Sequence, residues 1–168
     1  GNKRQKLKGE LALSLLLTMI IGPSSTTYID LMNQKLINQN FFFNVDVEKG
    51  AENIIIYAES KRMKYLKSKL ITFFTEDLIE KIDAEAFLRF KKSYLGQFIY
   101  TLNSIESKAY YYGKYVHMGS SLFDVIDMLN EMTYDDLIQQ ASRIHKRHIA
   151  TLIHQKERKR QISSTVMS

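Results

Sequence analysis

The sequence predicts an α+β fold in which a layer of helices covers an antiparallel sheet. Three observations predict it. The apolar pattern alternates over residues 41–48 and continues in a β-branched run at 53–59; it changes to a period of three or four residues before and after; and the elements never take the β-α-β rhythm of a parallel sheet. The implied order is α-α-β-β-α-α-α-α-α-β, a single domain without internal repeats or low-complexity blocks.

The first helix is read from the eleven-residue apolar run 11–21, stopped by Gly22 and Pro23. Lys3, Arg4, Lys6 and Lys8 ahead of it imitate a signal peptide, but Glu10 sits at the border and Gly22-Pro23-Ser24-Ser25 lacks a small-x-small cleavage site. Spanning a bilayer takes about 20 apolar residues, so the run is expected to be buried in the fold. The hydroxyls of Ser24, Ser25, Thr26 and Thr27 are suited to cap a second, short helix with Tyr28, Leu31 and Leu36 on one face.

Phe41, Phe43, Val45 and Val47 alternate with Phe42, Asn44, Asp46 and Glu48, as in a strand with one buried face. A polar turn at Glu48-Lys49-Gly50-Ala51-Glu52 leads into a returning strand at 53–59. From Ser60 the period becomes helical, with Met63, Leu66, Leu70 and Phe73 facing the sheet and Lys61, Arg62, Lys64, Lys67 and Lys69 facing solvent. Asp83 caps a helix at 84–102, and Ser104 starts another that ends near His117. One more helix follows the break at Gly119 and Ser120. Thr133 and Asp136 form a capping-box pattern for a helix to Ile144, and 148–154 reads as a third strand. Residues 1–155 are thus the domain and 156–168 a basic tail or linker. Three strands is few for this much helical cover, so a further strand is expected ahead of this sequence in the intact protein.

Composition narrows the chemistry. The chain has 168 residues, no Cys and a formal charge of +6. Thiolate metal sites, iron–sulfur clusters and Cys nucleophiles are excluded. The only histidine cluster, His145-Lys146-Arg147-His148 with His154 beyond it and His117 remote, places two cations where a dication would bind, so it reads as a solvated helix end. Asp135 and Asp136 read as first-turn charges, and no Ser, His and Asp spacing signals nucleophilic catalysis. Neither Gly-rich phosphate-binding pattern occurs. Tyr110, Tyr111, Tyr112 and Tyr115 interleave with Lys108 and Lys114, a combination able to stack bases and hold phosphates. Tyr111 and Tyr115, four apart, are instead expected to pack in the core. The tail cations Lys156, Arg158, Lys159 and Arg160 are expected to be solvated.

The order of elements, with Gly22-x-x-Ser25-x-x-Tyr28-x-x-Leu31 leading to Leu36, a hairpin, the 84–102 helix, Ser121-Leu122-Phe123-Asp124 and Thr133-Tyr134-Asp135-Asp136-Leu137, resembles the C-terminal, non-catalytic half of M16-family zinc peptidases of the bacterial type. That resemblance implies one half-repeat of an M16 (LuxS/MPP-like) metallohydrolase fold. The family's H-x-x-E-H motif, which supplies two zinc ligands and a general base, does not occur here. The resemblance therefore implies no catalytic or metal-binding residue in this chain, with zinc held by the catalytic half of the parent. It implies a chamber-closing role against a homologous N-terminal half or a separate catalytic subunit, with a peptide as substrate and no activity alone. Active members lend an Arg and a Tyr seven residues apart; the nearest positions here are Met32 and Gln39. The alternatives are a basic nucleic-acid-binding module and an M16-like scaffold without activity. A bacterial cytoplasmic location, no membrane contact and self-association of the isolated half are also expected.

Overall fold

The computed structural model describes residues 3–48 and 51–144. Their order is α1 (Lys3–Ile21), α2 (Thr26–Asn33), β1 (Phe42–Glu48), β2 (Ala51–Tyr57), α3 (Met63–Thr75), a 3-10 turn (Ile79–Lys81), α4 (Ala84–Thr101), α5 (Ile105–His117), α6 (Leu122–Glu131) and α7 (Tyr134–Ala141). The fold is mostly helical, with a small two-stranded antiparallel sheet among the described residues. The expected third strand at 148–154 and the tail at 156–168 lie outside them.

Helix α1 organises the rest. Leu7, Leu11, Leu13, Leu15, Leu16, Leu17, Ile20 and Ile21 are buried, so the helix is apolar around its circumference, as a central helix must be. It packs against α2, β1, α4, α6 and α7. It begins at Lys3 rather than at residue 11, because the basic residues continue the helix outward; Lys8 there reaches Asp136 of α7 at 2.8 Å. Its end follows from Gly22, whose N–H donates to the Leu17 carbonyl at 3.0 Å. A Cβ on Gly22 would stand 2.4 Å from the carbonyl oxygen of Thr18, so glycine is needed for this close approach.

Ser25 caps α2 by accepting the N–H of Tyr28 at 3.0 Å. At the other end Leu36 N–H donates to Leu31 O and Lys35 N–H to Met32 O, both at 2.9 Å. Lys35 takes the left-handed conformation (φ 54°) that this C-terminal motif requires. Leu36 and Ile37 after this turn are buried, as is Phe41, the residue before the hairpin.

In the hairpin Phe42 pairs with Tyr57, Asn44 with Ile55 and Asp46 with Asn53. Phe43, Ile54 and Ile56 pack against the core, and Val45 is buried in it. Phe42 and Tyr57 stack on the outer face, with centroids 4.5 Å apart. The second strand ends at Tyr57 rather than Glu59, because Glu59 leaves the ladder to accept hydrogen bonds from Asn38 and Asn40.

The later helices have the caps that their sequences imply. Asp83 accepts the N–H groups of Glu85 and Ala86, and Ser104 that of Ser107. Complete capping boxes start α6 (Ser121 with Asp124) and α7 (Thr133 with Asp136). The C-terminus of α6 is closed from α4, where Lys91 Nζ donates to the carbonyls of Asn130 (2.5 Å) and Met132 (2.9 Å). Helix α7 ends at Ala141 rather than continuing to Ile144. In α3 the buried aromatic is Phe74, with Phe73 half-buried against it edge-on at 5.1 Å.

Candidate functional site

The two positions singled out in the sequence stand at either end of the α2–β1 connection. Met32 lies on the last turn of α2, half-buried and packed against the core. Gln39 is exposed at the crown of the next turn. That turn is built locally: Asn38 Oδ1 accepts the Asn40 N–H at 2.8 Å, and Phe41 N–H donates to the Asn38 carbonyl at 3.1 Å. The side-chain amides of Asn38 and Asn40 both donate to Glu59 Oε2, at 3.1 and 3.0 Å. Gln39 is therefore presented on a turn clamped to the end of β2. The connection gives the position a fixed place, but a thioether and a neutral amide supply neither a cation nor an acidic hydroxyl to a reacting centre.

Beside α2 runs a groove of about 630 Å³ between the end of α1, α2 and α3. Met19, Ile20, Leu31, Leu70 and Phe73 give it an apolar floor. Its rim is charged, with two of its three acids set beside its two lysines and Glu80 as the third. Lys69 Nζ donates to Gln34 Oε1 at 2.9 Å and lies 3.9 Å from Asp30, tying α3 to α2. Lys81 Nζ meets Glu76 Oε2 at 2.7 Å and stands 5.0 Å over the Phe73 ring. Such a surface suits an apolar segment whose backbone finds polar partners at the edges.

A second polar group lies between α1, α4 and α5. Glu10, only 6% exposed, accepts a charged hydrogen bond from Lys114 at 2.6 Å. Burial raises the phenol of Tyr94 above its usual range against the opposing hydrogen bond of Ser14; burial likewise raises Tyr115, reinforced by Tyr94 and Glu10. Both phenols stay protonated through the neutral range, which fits packing rather than proton transfer. Tyr111 stacks on Tyr115 at 5.9 Å, and Phe98 meets both edge-on. These two tyrosines are thus committed to the core as expected, whereas Tyr110 and Tyr112 remain exposed.

Among the described residues no group of three or more His, Asp or Glu side chains is placed to hold a metal ion. Zinc does not fit the residues present there. His117 is the one of the four histidines that lies within the described residues; His145, His148 and His154 lie outside them. Asp136 is occupied by Thr133 and Lys8, and no nucleophile and base pair is assembled around it.

Sequence reasoning missed the partners that hold the site. Glu59 lies 21 residues from Asn38, and Lys69 lies 35 from Gln34. No local pattern encodes contacts at that separation. The doubled asparagines around Gln39 were the available signal for an ordered turn. No single described helix is long and apolar enough to cross a membrane, and α1 and α2, which together reach the length, are bent by 46°.

No family model matches the chain. It is similar to the uncharacterized zinc protease YmfH of Bacillus subtilis (strain 168), with 30% identity over 134 residues, 80% of this chain and 31% of that protein. Among solved structures it matches the fold of a provisionally assigned M16-like peptidase from Alicyclobacillus acidocaldarius with a TM-score of 0.64 and 20% identity, over 85% of this chain and 34% of that one. The chain spans about a third of each. The resemblance to M16-type zinc peptidases is thus carried by a sequence relative and by a fold.

Proposed function

We propose that this chain is the non-catalytic C-terminal half of an M16-like zinc metallopeptidase, one half-repeat of that fold with residues 1–155 as its domain. In this reading it closes a substrate chamber in the cytoplasm of a bacterial cell. A homologous N-terminal half, on the same polypeptide or a separate subunit, supplies zinc and the hydrolytic residues. The observation that supports it best is a pairing: likeness to a named zinc protease over 80% of this chain, combined with a sequence that does not contain H-x-x-E-H. Within the chamber the clamped turn at Gln39 and the groove along α2 are the surfaces that shape where a peptide sits.

A second reading, an M16-like scaffold without activity, is favoured by one detail. Met32 and Gln39 are the nearest positions to the Arg and Tyr, seven residues apart, that active members of the resembled family lend, and neither is of that type.

The test is elemental zinc analysis of the full-length parent and of this chain, with peptide hydrolysis measured on both. One zinc per parent chain, none in this piece and hydrolysis by the parent alone is the expected result. Zinc bound stoichiometrically by this piece would overturn the reading; a zinc-free, inactive parent would favour the scaffold.

A further inference from the structure

We propose that the outer face of α5 is the seam of an antiparallel helix pair formed with a second copy of this chain. Ile105, Ala109, Tyr112 and Val116 recur at intervals of four, three and four residues, the spacing of a coiled-coil seam. All four are exposed, the three large ones at 81%, 59% and 51%, whereas Tyr115 on the core side of the helix is buried. Beside them Gly113 has nothing within 4 Å of where a Cβ would stand, so a second helix can approach closely.

The polar groups at the two ends of the helix select the occupant. Helix α5 is acidic in its first turn (Glu106) and basic in its last (Lys114 and His117). Lys114 is engaged with Glu10, leaving His117 exposed at that end. An antiparallel second copy sets Ile105 against Val116 and Ala109 against Tyr112, and brings Glu106 to His117 twice across the two-fold axis. A parallel copy would place like beside like. The face is thus complementary to itself in one orientation, as an isologous contact requires. A seam of one 13-residue helix is small, so the pair is weak and concentration-dependent.

Sedimentation analysis of the full 168-residue chain, from micromolar to millimolar concentration, tests this independently of the peptidase reading. A monomer–dimer equilibrium is expected. Ile105→Lys and Tyr112→Lys should each leave a folded monomer by circular dichroism. Leu88→Lys, at an equally exposed apolar residue on α4, should leave the dimer unchanged. Glu106→Lys should weaken association about threefold, and adding His117→Glu should restore it. A monomer at all concentrations, a dimer that survives both seam substitutions, or equal loss with Leu88→Lys overturns the proposal. Failure of the charge swap to restore association overturns the antiparallel arrangement.

Discussion

Lys114 Nζ lies 2.6 Å from Glu10 Oε1, a contact between helices α1 and α5 across 104 residues of sequence. The Glu10 side chain is 7% exposed and that of Lys114 33%, so the carboxylate depends on the ammonium far more than the reverse. Lys114→Met should cost about 2–3 kcal/mol by leaving a buried charge unpaired. The double variant Glu10→Leu with Lys114→Met should recover most of that loss, because two apolar groups of similar volume need no partner. Urea denaturation of the two single variants and the double variant measures the coupling; simple additivity would contradict it.

Lys91 closes the C-terminus of α6 from outside that helix, donating to two carbonyls that have no intrahelical partner. Lys91→Met keeps the aliphatic stem, so any effect reads the lost hydrogen bonds. A loss of about 1–2 kcal/mol in denaturant titration is expected.

Two backbone positions make opposite predictions. Lys35 holds a left-handed φ of 54°, which a side chain disfavours, so Lys35→Gly should raise stability by up to about 1 kcal/mol. Gly22→Ala should lower it by more than about 2 kcal/mol, because the new methyl would stand 2.4 Å from a backbone carbonyl that cannot move freely. Thermal unfolding of both variants gives the comparison, with the helix content of each checked first.

Asp136 carries a pH dependence. Burial pushes its carboxyl upward, but the Lys8 ammonium and the Thr133 donors outweigh that and hold it below the usual carboxylate range. Because the folded value is depressed, the stabilisation is complete above the ordinary value of about 4 and is lost as pH falls through it toward the folded value. Asp136→Asn should therefore be less stable than the parent near neutrality, and the two should converge as the pH drops below about 4. Urea midpoints across that acid limb decide it; a constant gap would rule out this source of acid sensitivity.

Much of the helical order is legible because its signals are local. Asp83, Ser104 and Thr133 cap the helices they precede, since a side-chain oxygen three residues from a free N–H is a property of the sequence itself. The alternation at 41–45 likewise reports the buried face of β1. Boundaries failed where a distant residue decided them. Glu59 ended β2 two residues early by turning to Asn38 and Asn40, and α1 extended back to Lys3 because its cations find room and partners outside the core. The short turn at Ile79–Lys81 carries no period and went unread. At the candidate site the two positions were visible only through family resemblance. The clamp and groove around them depend on contacts 19 to 35 residues apart, which no spacing rule exposes.

The central placement of α1 has a consequence for how the domain comes apart. A helix shared by α2, β1, α4, α6 and α7 cannot open without exposing the faces of all five, so it leaves no subset of elements a core of its own. The backbone amides of its middle turns should therefore exchange with deuterium only through complete unfolding, at a free energy equal to that of the whole domain. Amides in the α2–β1 connection should exchange through smaller openings, so that connection can move while the central helix stays shut.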